Sequence, residues 1–313
     1  MWSSRRVIVP GLIALGWLVA VGSIHRDEAA GHQLAAPPTG SLQVLITTSE
    51  LVVGENRFAF GLLKSDALLP AARVIVRIYD LREEPPRLTT EAPAVYHKLE
   101  VVEQDRRVHI HPDGTRHVHD GTTDVLGVYV AHVRFGRPGP WGVEVLAQQG
   151  DDPVEASRFT LQALAVAHAP MPGTPAPRSR NLVAGDVDDL KTIDSSDPPD
   201  PRLHRHRIAD AIAQGKPQVI VFATPKYCTS RVCGPVVDIV RTLIPIYGDR
   251  VVFIHQEIWQ AGTQTFAPTV EEWKLRSEPW IFVVDGKGTV RARFEGLTTR
   301  HEIEAALRGV LGP

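Results

Sequence analysis

Short runs rich in Val, Ile, Phe and Tyr, several of them alternating with polar residues, recur between Ser41 and about Leu164. Clusters of Gly, Pro and Asp separate the runs, and a two-residue period is typical of strands with one buried face. The runs are SLQVLITT, NRFAFGLL, ARVIVRIYD, GVYVAHVRF, WGVEVLAQ and ASRFTLQAL. Short strands at this spacing predict an all-β, immunoglobulin-like sandwich over residues 41–165.

The pattern changes to alternating helices and strands over residues 195–313. The runs QVIVFAT and RVVFIHQEI are typical of strands that are buried on both faces. WIFVVDGKGTVRARFEG predicts two further strands that meet at residues 285–288, and apolar residues at helical spacing lie before, between and after these strands. The order helix, strand, helix, strand, helix, strand, strand, helix predicts an α/β domain.

Two other segments predict connections and a membrane anchor. Residues 166–194 include APMPGTPAPRSR, whose prolines predict a semi-rigid linker. Near the amino end, Arg5 and Arg6 precede an apolar run of about 18 residues, which is close to the lower limit for a spanning helix. We interpret residues 1–24 as a signal anchor or signal peptide and residues 25–40 as a linker. Because basic flanks stay in the cytoplasm, the prediction is a single-pass protein of the cell membrane with its body outside the cytoplasm.

The two cysteines of the chain, Cys228 and Cys233, form a C-x4-C motif directly after a predicted strand. In a continuous helix their side chains would diverge, and the Cα atoms would be too far apart for a disulfide. Pro235 favours a helix that begins near residues 234–235, because proline fits the first turn of a helix. Residues 228–233 would then form a loop that permits a disulfide, which persists outside the cytoplasm.

The order of elements and two motifs resemble the thioredoxin fold, and most closely the TlpA-like proteins of the bacterial envelope. VIVFAT…YC is similar to the strand that enters a thioredoxin active site, and SEPWIFVVDGKGTV to the cis-proline segment and its hairpin. The resemblance implies that Pro279 is cis and lies against the disulfide, with Cys228 as nucleophile and Cys233 as resolving thiol. It implies partners that are envelope proteins with thiols or disulfides, and no required cofactor. The sandwich, with GVYVAHVRF…GPWGVEV, resembles YtkA-like domains.

Three other interpretations of the cysteine pair stay open: a structural disulfide, peroxide reduction and copper handling. Thioredoxins carry a buried acid beneath the disulfide, whereas residues 219–221 here are Val-Ile-Val. Copper-delivery proteins of this fold bind copper through two cysteines and a later histidine. Ser277 stands at about that place, and His255 is the residue available to substitute for it.

A histidine-rich segment, VHIHPDGTRHVH, predicts a β-hairpin with H-x-H on both sides of its turn. A two-residue turn at residues 113–114 would send the two pairs to opposite faces. A three-residue loop at residues 112–114 would pair His109 with His117 and place four histidines on one face. The four are His109, His111, His117 and His119, and on one face they would bind copper or zinc. The alternative is a solvated hairpin tip, and His204 and His206 are likewise expected to be exposed.

The formal net charge of −2 gives no basic field, so nucleic acid is not an expected partner. The sequence thus predicts a membrane-anchored, extracytoplasmic thiol–disulfide oxidoreductase. The alternative is a non-catalytic or copper-handling envelope module in which the disulfide is structural.

Overall fold

The computed structural model describes residues 42–103, 106–111, 115–118, 127–228, 231–263 and 265–312. The predicted anchor at residues 1–24 and the linker at residues 25–40 lie outside the described residues. Within these ranges no helix has the length and apolar character needed to cross a membrane.

Antiparallel strands make up the amino-terminal part of the described chain. They are β1 (Leu42–Ile46), β2 (Gly54–Lys64), β3 (Ala67–Leu68), β4 (Arg73–Asp80), β5 (Arg87–Lys98), β6 (Val102–Glu103), β7 (Arg106–Ile110), β8 (Arg116–Val118), β9 (Gly127–Phe135), β10 (Gly139–Gln148) and β11 (Glu155–Ala163). Eight of them pair in the order β1-β2-β9-β5-β4-β10-β11, with β3 beside β2. We call these eight strands the sandwich.

The sandwich strands follow one hydrogen-bonded path, and the path folds back so that its two ends approach each other. A bridge between Val52 and Leu164 joins the segments beside β1 and β11. Alternate side chains of β2 and β9 point inward, among them Phe58, Phe60 and Tyr129, which are all nearly or fully buried. The predicted β-sandwich is confirmed, although its strands are not divided into two separately paired sheets as in an immunoglobulin domain.

Strand β5 was not among the strands predicted from the sequence, and it contains Pro93. Residues 74–80 of β4 pair with residues 87–94 of β5, whereas the ladder between β5 and β9 begins only at Ala94. Pro93 lies opposite Ile75 on one side and outside the β9 ladder on the other. The missing N–H of proline therefore interrupts no ladder on that side.

A four-stranded mixed sheet between helices forms the carboxy-terminal part, which we call the α/β region (residues 201–312). Its elements are α1 (Ile208–Ala213), β12 (Gln218–Phe222), α2 (Cys233–Tyr247), β13 (Val252–Gln256), α3 (Pro268–Glu272), β14 (Trp280–Val284), β15 (Val290–Glu295) and α4 (Arg300–Leu311). The strand order is β13-β12-β14-β15, with β12 parallel to β13 and antiparallel to β14. Alternate residues of β12 explain the two layers: Val219 and Val221 join the core with α2 and α4, and Ile220 and Phe222 join the core with α1 and α3.

The sandwich packs directly against the α2 and α4 side of the α/β region. Ala59, Val128 and Val130 belong to the same hydrophobic cluster as these helices. Two ion pairs reinforce the contact: Arg57 Nε lies 2.6 Å from Glu302 Oε1, and Arg293 Nη1 lies 2.6 Å from Glu50 Oε1. The two parts of the described chain are thus joined by a buried apolar contact and by charges at its edge.

The proline-rich segment between the two parts also has fixed contacts. The N–H of Gly173 donates to the carbonyl of Val290, and the N–H of Val290 donates to the carbonyl of Thr174. The indole of Trp273 donates to Ser179 Oγ. This segment therefore runs along the α/β region as an ordered strap.

Candidate functional site

The cysteine pair lies at the beginning of helix α2. Cys228 and Cys233 are joined as a disulfide, with their Cα atoms 6.1 Å apart. The helix begins at Cys233, so Pro235 falls within its first turn. Arg231 has a φ of 60°, and this left-handed residue turns the loop back toward the helix. The loop that Pro235 was expected to permit is confirmed.

The two sulfurs differ in their access to solvent. Cys233 is fully buried in the hydrophobic cluster of α2, whereas Cys228 is half-buried at its edge. The N–H of Cys228 donates to the carbonyl of Thr224, which fixes the loop that leads from β12 to the disulfide. An incoming thiol or disulfide therefore has access to Cys228, and Cys233 is shielded.

Glu278 supplies a carboxylate that the sequence reasoning did not find. The peptide bond between Glu278 and Pro279 is cis, as expected from the motif SEPW. A carboxylate oxygen of Glu278 lies within 4.8 Å of both sulfur atoms. Burial raises the pKa of Glu278, and the nearby negative charge of Glu257 adds to the rise. This carboxylate belongs to the cis-proline loop and not to β12, where the resemblance implied an acid. The sequence feature that could have identified it is the acidic residue directly before Pro279.

A buried ion pair connects α2 to the histidine-rich insert, which consists of β6, β7 and β8. Arg107 Nε on β7 lies 2.7 Å from Asp238 Oδ2, and Arg241 Nη1 lies 2.9 Å from Asp238 Oδ1. Gly234 leaves room for this approach, because a Cβ at that position would lie 2.7 Å from Arg107 Nη1. The insert is therefore attached to the first turns of the helix that carries Cys233.

The hairpin in this insert has the register expected of a three-residue loop. His109 pairs with His117, and the N–H of His111 donates to the carbonyl of Thr115. The rings of His111 and His117 have their centroids 5.9 Å apart, so these two histidines share a face. The loop at residues 112–114, His119 and the side chain of His109 lie outside the described residues, so the four-histidine metal site stays a prediction.

The insert and the loop before Cys228 border a common cavity. The cavity has a volume of about 460 Å³, and its lining includes Arg107 and His117 from the insert and Lys226 and Tyr227 from the loop. Tyr227 is exposed over 65 % of its surface, and the ammonium group of Lys226 lies 5.6 Å from its ring centroid. The structure thus brings together two candidate sites that the sequence left in separate domains.

Three other histidines differ from expectation or have surroundings that the sequence did not predict. His204 was expected to be exposed, but it is buried in a short 3-10 turn (Pro201–His204) against the sheet. His206 is half-buried, and burial lowers its pKa. His255 at the end of β13 is fully buried and hydrogen-bonded to the carbonyl of Ala223. Its Nδ1 atom faces Asp194.

The copper interpretation required a histidine beside the two cysteines. Ser277 donates a hydrogen bond to Glu295 Oε1. Among the described residues, His255 groups with Asp194 and His204, and the group around the two sulfurs contains Glu278 instead. His255 therefore does not complete a Cys-Cys-His set in this structure.

Comparison with known proteins supports the fold of the α/β region. Residues 205–311, about a third of the chain, match the model of a family described as a thioredoxin-like domain. The match includes both cysteines, the cis-proline loop and the hairpin that follows it. No curated protein and no solved structure has a significant match to the chain.

Proposed function

We propose that this protein is a thiol–disulfide oxidoreductase whose reactive centre is the pair Cys228 and Cys233. The observation that carries the proposal is the asymmetry of the pair: within a thioredoxin-like domain, a half-buried Cys228 precedes a fully buried Cys233 at a helix N-terminus. Exchange requires one cysteine that a partner can reach, and Cys228 is the more exposed of the two.

In the reducing direction, the Cys228 thiolate attacks one sulfur of a partner disulfide. That bond breaks, a mixed disulfide forms, and the other partner sulfur leaves as a thiolate that takes a proton. The Cys233 thiolate then attacks Cys228 Sγ, which restores the Cys228–Cys233 bond and releases the second partner thiol. Two electrons pass to the partner, and the same steps run backward when the partner dithiol is oxidised.

Glu278 is the group we assign to proton transfer. Cys233 must lose a proton before it attacks and gain one when the disulfide is reduced, and its burial separates it from bulk water. A carboxylate within 4.8 Å of both sulfurs can exchange that proton through one water molecule. Its raised pKa brings it closer to that of a thiol, which favours transfer in both directions.

The proposal also covers the location of the protein and the class of its partners. The apolar run after Arg5 and Arg6 supports a single-pass anchor with the body outside the cytoplasm, where a disulfide persists. In this setting the partners are envelope proteins with thiols or disulfides, and the chain is TlpA-like in its α/β region and YtkA-like in its sandwich. Membrane fractionation and protease protection of intact cells test the location. Recovery of the protein in the cytoplasm would contradict it.

The second candidate is a copper-handling or non-catalytic module with a structural disulfide. The observation that favours it is the placement of the hairpin, whose residue His117 lines the same cavity as the loop before Cys228. Metal bound by the hairpin would lie near the disulfide, and the disulfide would not need to react with a partner.

The reduction potential of the pair separates the two candidates. We expect a value of about −200 mV, since structural disulfides typically lie below about −300 mV. The variant Cys233→Ser should trap a mixed disulfide with a model substrate through Cys228, and Cys228→Ser should trap little because Cys233 is buried. A potential below the structural limit, together with no trapped intermediate, would leave the pair as a staple.

A further inference from the structure

A second cluster of chemically active side chains lies beside the disulfide loop and takes no part in the exchange described above. Asp194, His204 and His255 are between 0 and 1 % exposed, and one ligand atom of each lies within 4.8 Å of those of the other two. They come from three places in the sequence: the segment after the proline-rich strap, the 3-10 turn before α1, and the end of β13.

Two distances within this cluster are close to those between neighbouring ligands of one metal ion. His204 Nε2 lies 3.1 Å from Asp194 Oδ2, and His255 Nδ1 lies 3.4 Å from Asp194 Oδ1. Two ligands at 2.0–2.1 Å from a tetrahedral zinc ion are roughly 3.3 Å apart. The set of two imidazoles and one carboxylate is also one that zinc prefers.

Hydrogen bonds to groups outside the cluster orient two of the three side chains, His255 and Asp194. His255 Nε2 lies 3.0 Å from the carbonyl of Ala223, so the proton of the neutral ring is on Nε2 and the lone pair of Nδ1 points toward Asp194. Asp194 accepts hydrogen bonds from the N–H groups of Ser196 and Asp200. Such contacts orient ligands in zinc sites.

The Nδ1 atom of His255 needs either a cation or a second proton, because it faces the Asp194 carboxylate. This atom is buried and lies 3.4 Å from Asp194 Oδ1, which is longer than a usual N–H···O hydrogen bond. A lone pair that faces a carboxylate oxygen is repelled unless a cation lies between the two groups or the ring takes up a second proton. A cavity of about 480 Å³, lined by His204, His255 and Glu257 among others, leaves space for a fourth ligand.

We propose that Asp194, His204 and His255 form a binding site for one zinc ion, with the fourth position open to this cavity. Bound zinc ties β13 to the segment around residue 194. Ser195 Oγ of that segment accepts a hydrogen bond from the N–H of Lys226, so the ion braces the loop that leads to Cys228. The site is separate from the hairpin histidines and does not depend on the proposed exchange reaction.

The competing explanation is a buried ion pair. Burial lowers the pKa of His255, but the Asp194 carboxylate acts against burial and the net pKa is raised. Burial lowers the pKa of His204, and the neighbouring His255 adds to this effect. A doubly protonated His255 would satisfy Asp194 without a metal, so the experiment must distinguish an imidazolium from a zinc ligand.

Zinc binding to the full chain is measured by competition with a chromophoric chelator. The hairpin is first removed as a competing site by replacing His109, His111, His117 and His119 with Gln. We expect one zinc ion per chain in this background and a midpoint of thermal unfolding that rises with zinc concentration. His204→Gln should weaken binding at least about 100-fold, because even groups that only orient zinc ligands contribute 10–100-fold. His206→Gln, two residues away, is the matched control and should bind as the background does.

Cobalt(II) and NMR make the outcome decisive even if a variant fails to fold. In the background protein, cobalt should give the visible absorption of a tetrahedral site, and zinc should move the ring nitrogen resonances of His255. No zinc bound at micromolar concentration, equal binding by the His204→Gln variant, or an imidazolium spectrum for His255 that zinc leaves unchanged would overturn the proposal. Any of these results would assign the cluster to a buried ion pair.

Discussion

The interior of the sandwich and the interior of the α/β region contain different kinds of side chain. The sandwich encloses stacked aromatic and branched residues, and the hydroxyl of Tyr129 in this core both donates to Leu69 and accepts from Ala72. The α/β region, with the segment that leads into it, buries charged or titratable groups, namely Asp194, His204, Asp238, Arg241 and His255. The sandwich also buries the carboxylates of Asp80 and Glu144, but each is paired with arginines and lies far from any reactive group. The α/β region instead keeps its buried polar groups near a disulfide.

This difference separates what stabilises the protein from what it does. Apolar burial contributes stability and no chemistry, whereas a buried charge costs desolvation and persists where it is paired or used. Substitutions in the sandwich core should therefore change the free energy of unfolding and leave the reduction potential alone. Substitutions among the polar groups near the disulfide should change the exchange reaction.

The largest effect on stability is expected for Phe60→Ala in the sandwich core. Phe60 is fully buried and stacks on Tyr129 with a centroid distance of 5.7 Å. Its truncation leaves a cavity and should lower the free energy of unfolding by about 3–5 kcal/mol in a urea titration. The matched control is Phe266→Ala: Phe266 is 45 % exposed and packs on Trp259, so its loss should cost no more than about 1.5 kcal/mol. A changed reduction potential in the Phe60→Ala variant would contradict the expectation that the sandwich core affects stability alone.

The second effect concerns the ion pair between the two regions. Burial would raise the pKa of Glu302, but the Arg57 guanidinium and hydrogen bonds from Thr299 outweigh it and hold the pKa below its usual range. A lowered pKa means that this contribution is present above the unfolded value of about 4.3 and is lost as the pH falls through the folded value. Glu302→Gln should therefore cost about 1.5–3 kcal/mol at pH 7, and less as the pH approaches that of the folded carboxyl.

Urea titrations at pH 7 and pH 4 measure this difference. Glu304→Gln is the control, since Glu304 forms an i,i+4 pair with Arg300 on the same helix. It should cost no more than about 0.5 kcal/mol at either pH. Equal losses for the two variants at pH 7 would show that the contact between the regions does not rest on Arg57.

The order of elements in both regions was predictable because it depends on local patterns. Alternation gave most of the sandwich strands, and Pro235 gave the start of α2 and hence the disulfide loop. Strand β5 was missed because Pro93 normally argues against a strand, and its tolerance depends on where the ladder to β9 begins. Such a fact is set by pairing between distant segments and has no local signal.

The parts of the candidate site that were missed also depend on tertiary contacts. His204 was expected to be exposed because it precedes an amphipathic helix, but a 3-10 turn places it 3.1 Å from Asp194. Glu278 and Cys228 are 50 residues apart in the sequence. The insert reaches α2 through Arg107 and Asp238, 131 residues apart. Spacing along the chain identifies a cysteine pair, but it does not show which acid or which histidine the fold brings to it.

The third prediction tests the polar interior directly through Glu278→Gln. The variant keeps the shape of the side chain but removes its proton exchange, so the rate of thiol–disulfide exchange should fall by roughly 100-fold or more. The pH profile of the wild-type rate should contain one ionisation above the usual range of a glutamate, and the variant should lack it. Glu271→Gln on the exposed face of α3 is the control and should change neither.

The raised pKa of Glu278 also predicts how the stability of the protein changes with pH. Because the pKa of Glu278 is raised, the folded protein holds this proton at a pH at which the unfolded chain has released it. Stability therefore declines as the pH rises from about 4.3 to the folded value, and Glu278→Gln should remove that decline. An unchanged rate, with an unchanged pH profile, would show that Glu278 takes no part in exchange.

The smallest effect on stability is expected for Tyr227→Ala, which tests whether the exposed rim of the site recognises a partner. An aromatic side chain with 65 % of its surface exposed contributes little to the fold, so the free energy of unfolding should change by no more than about 0.5 kcal/mol. Exposed aromatic residues beside a reactive group are typical contacts for a partner, because they bury a large apolar surface on binding. The KM for a protein disulfide substrate should therefore rise several-fold, whereas exchange with a small disulfide should keep its rate, since the small molecule needs only Cys228.

Leu45→Ala, at 45 % exposure on β1 of the sandwich, is the control and should change neither measurement. If the rate with the small disulfide falls as far as the rate with the protein substrate, Tyr227 acts on the disulfide loop itself. Its role is then the same as that of the polar groups near the disulfide and not that of a partner contact.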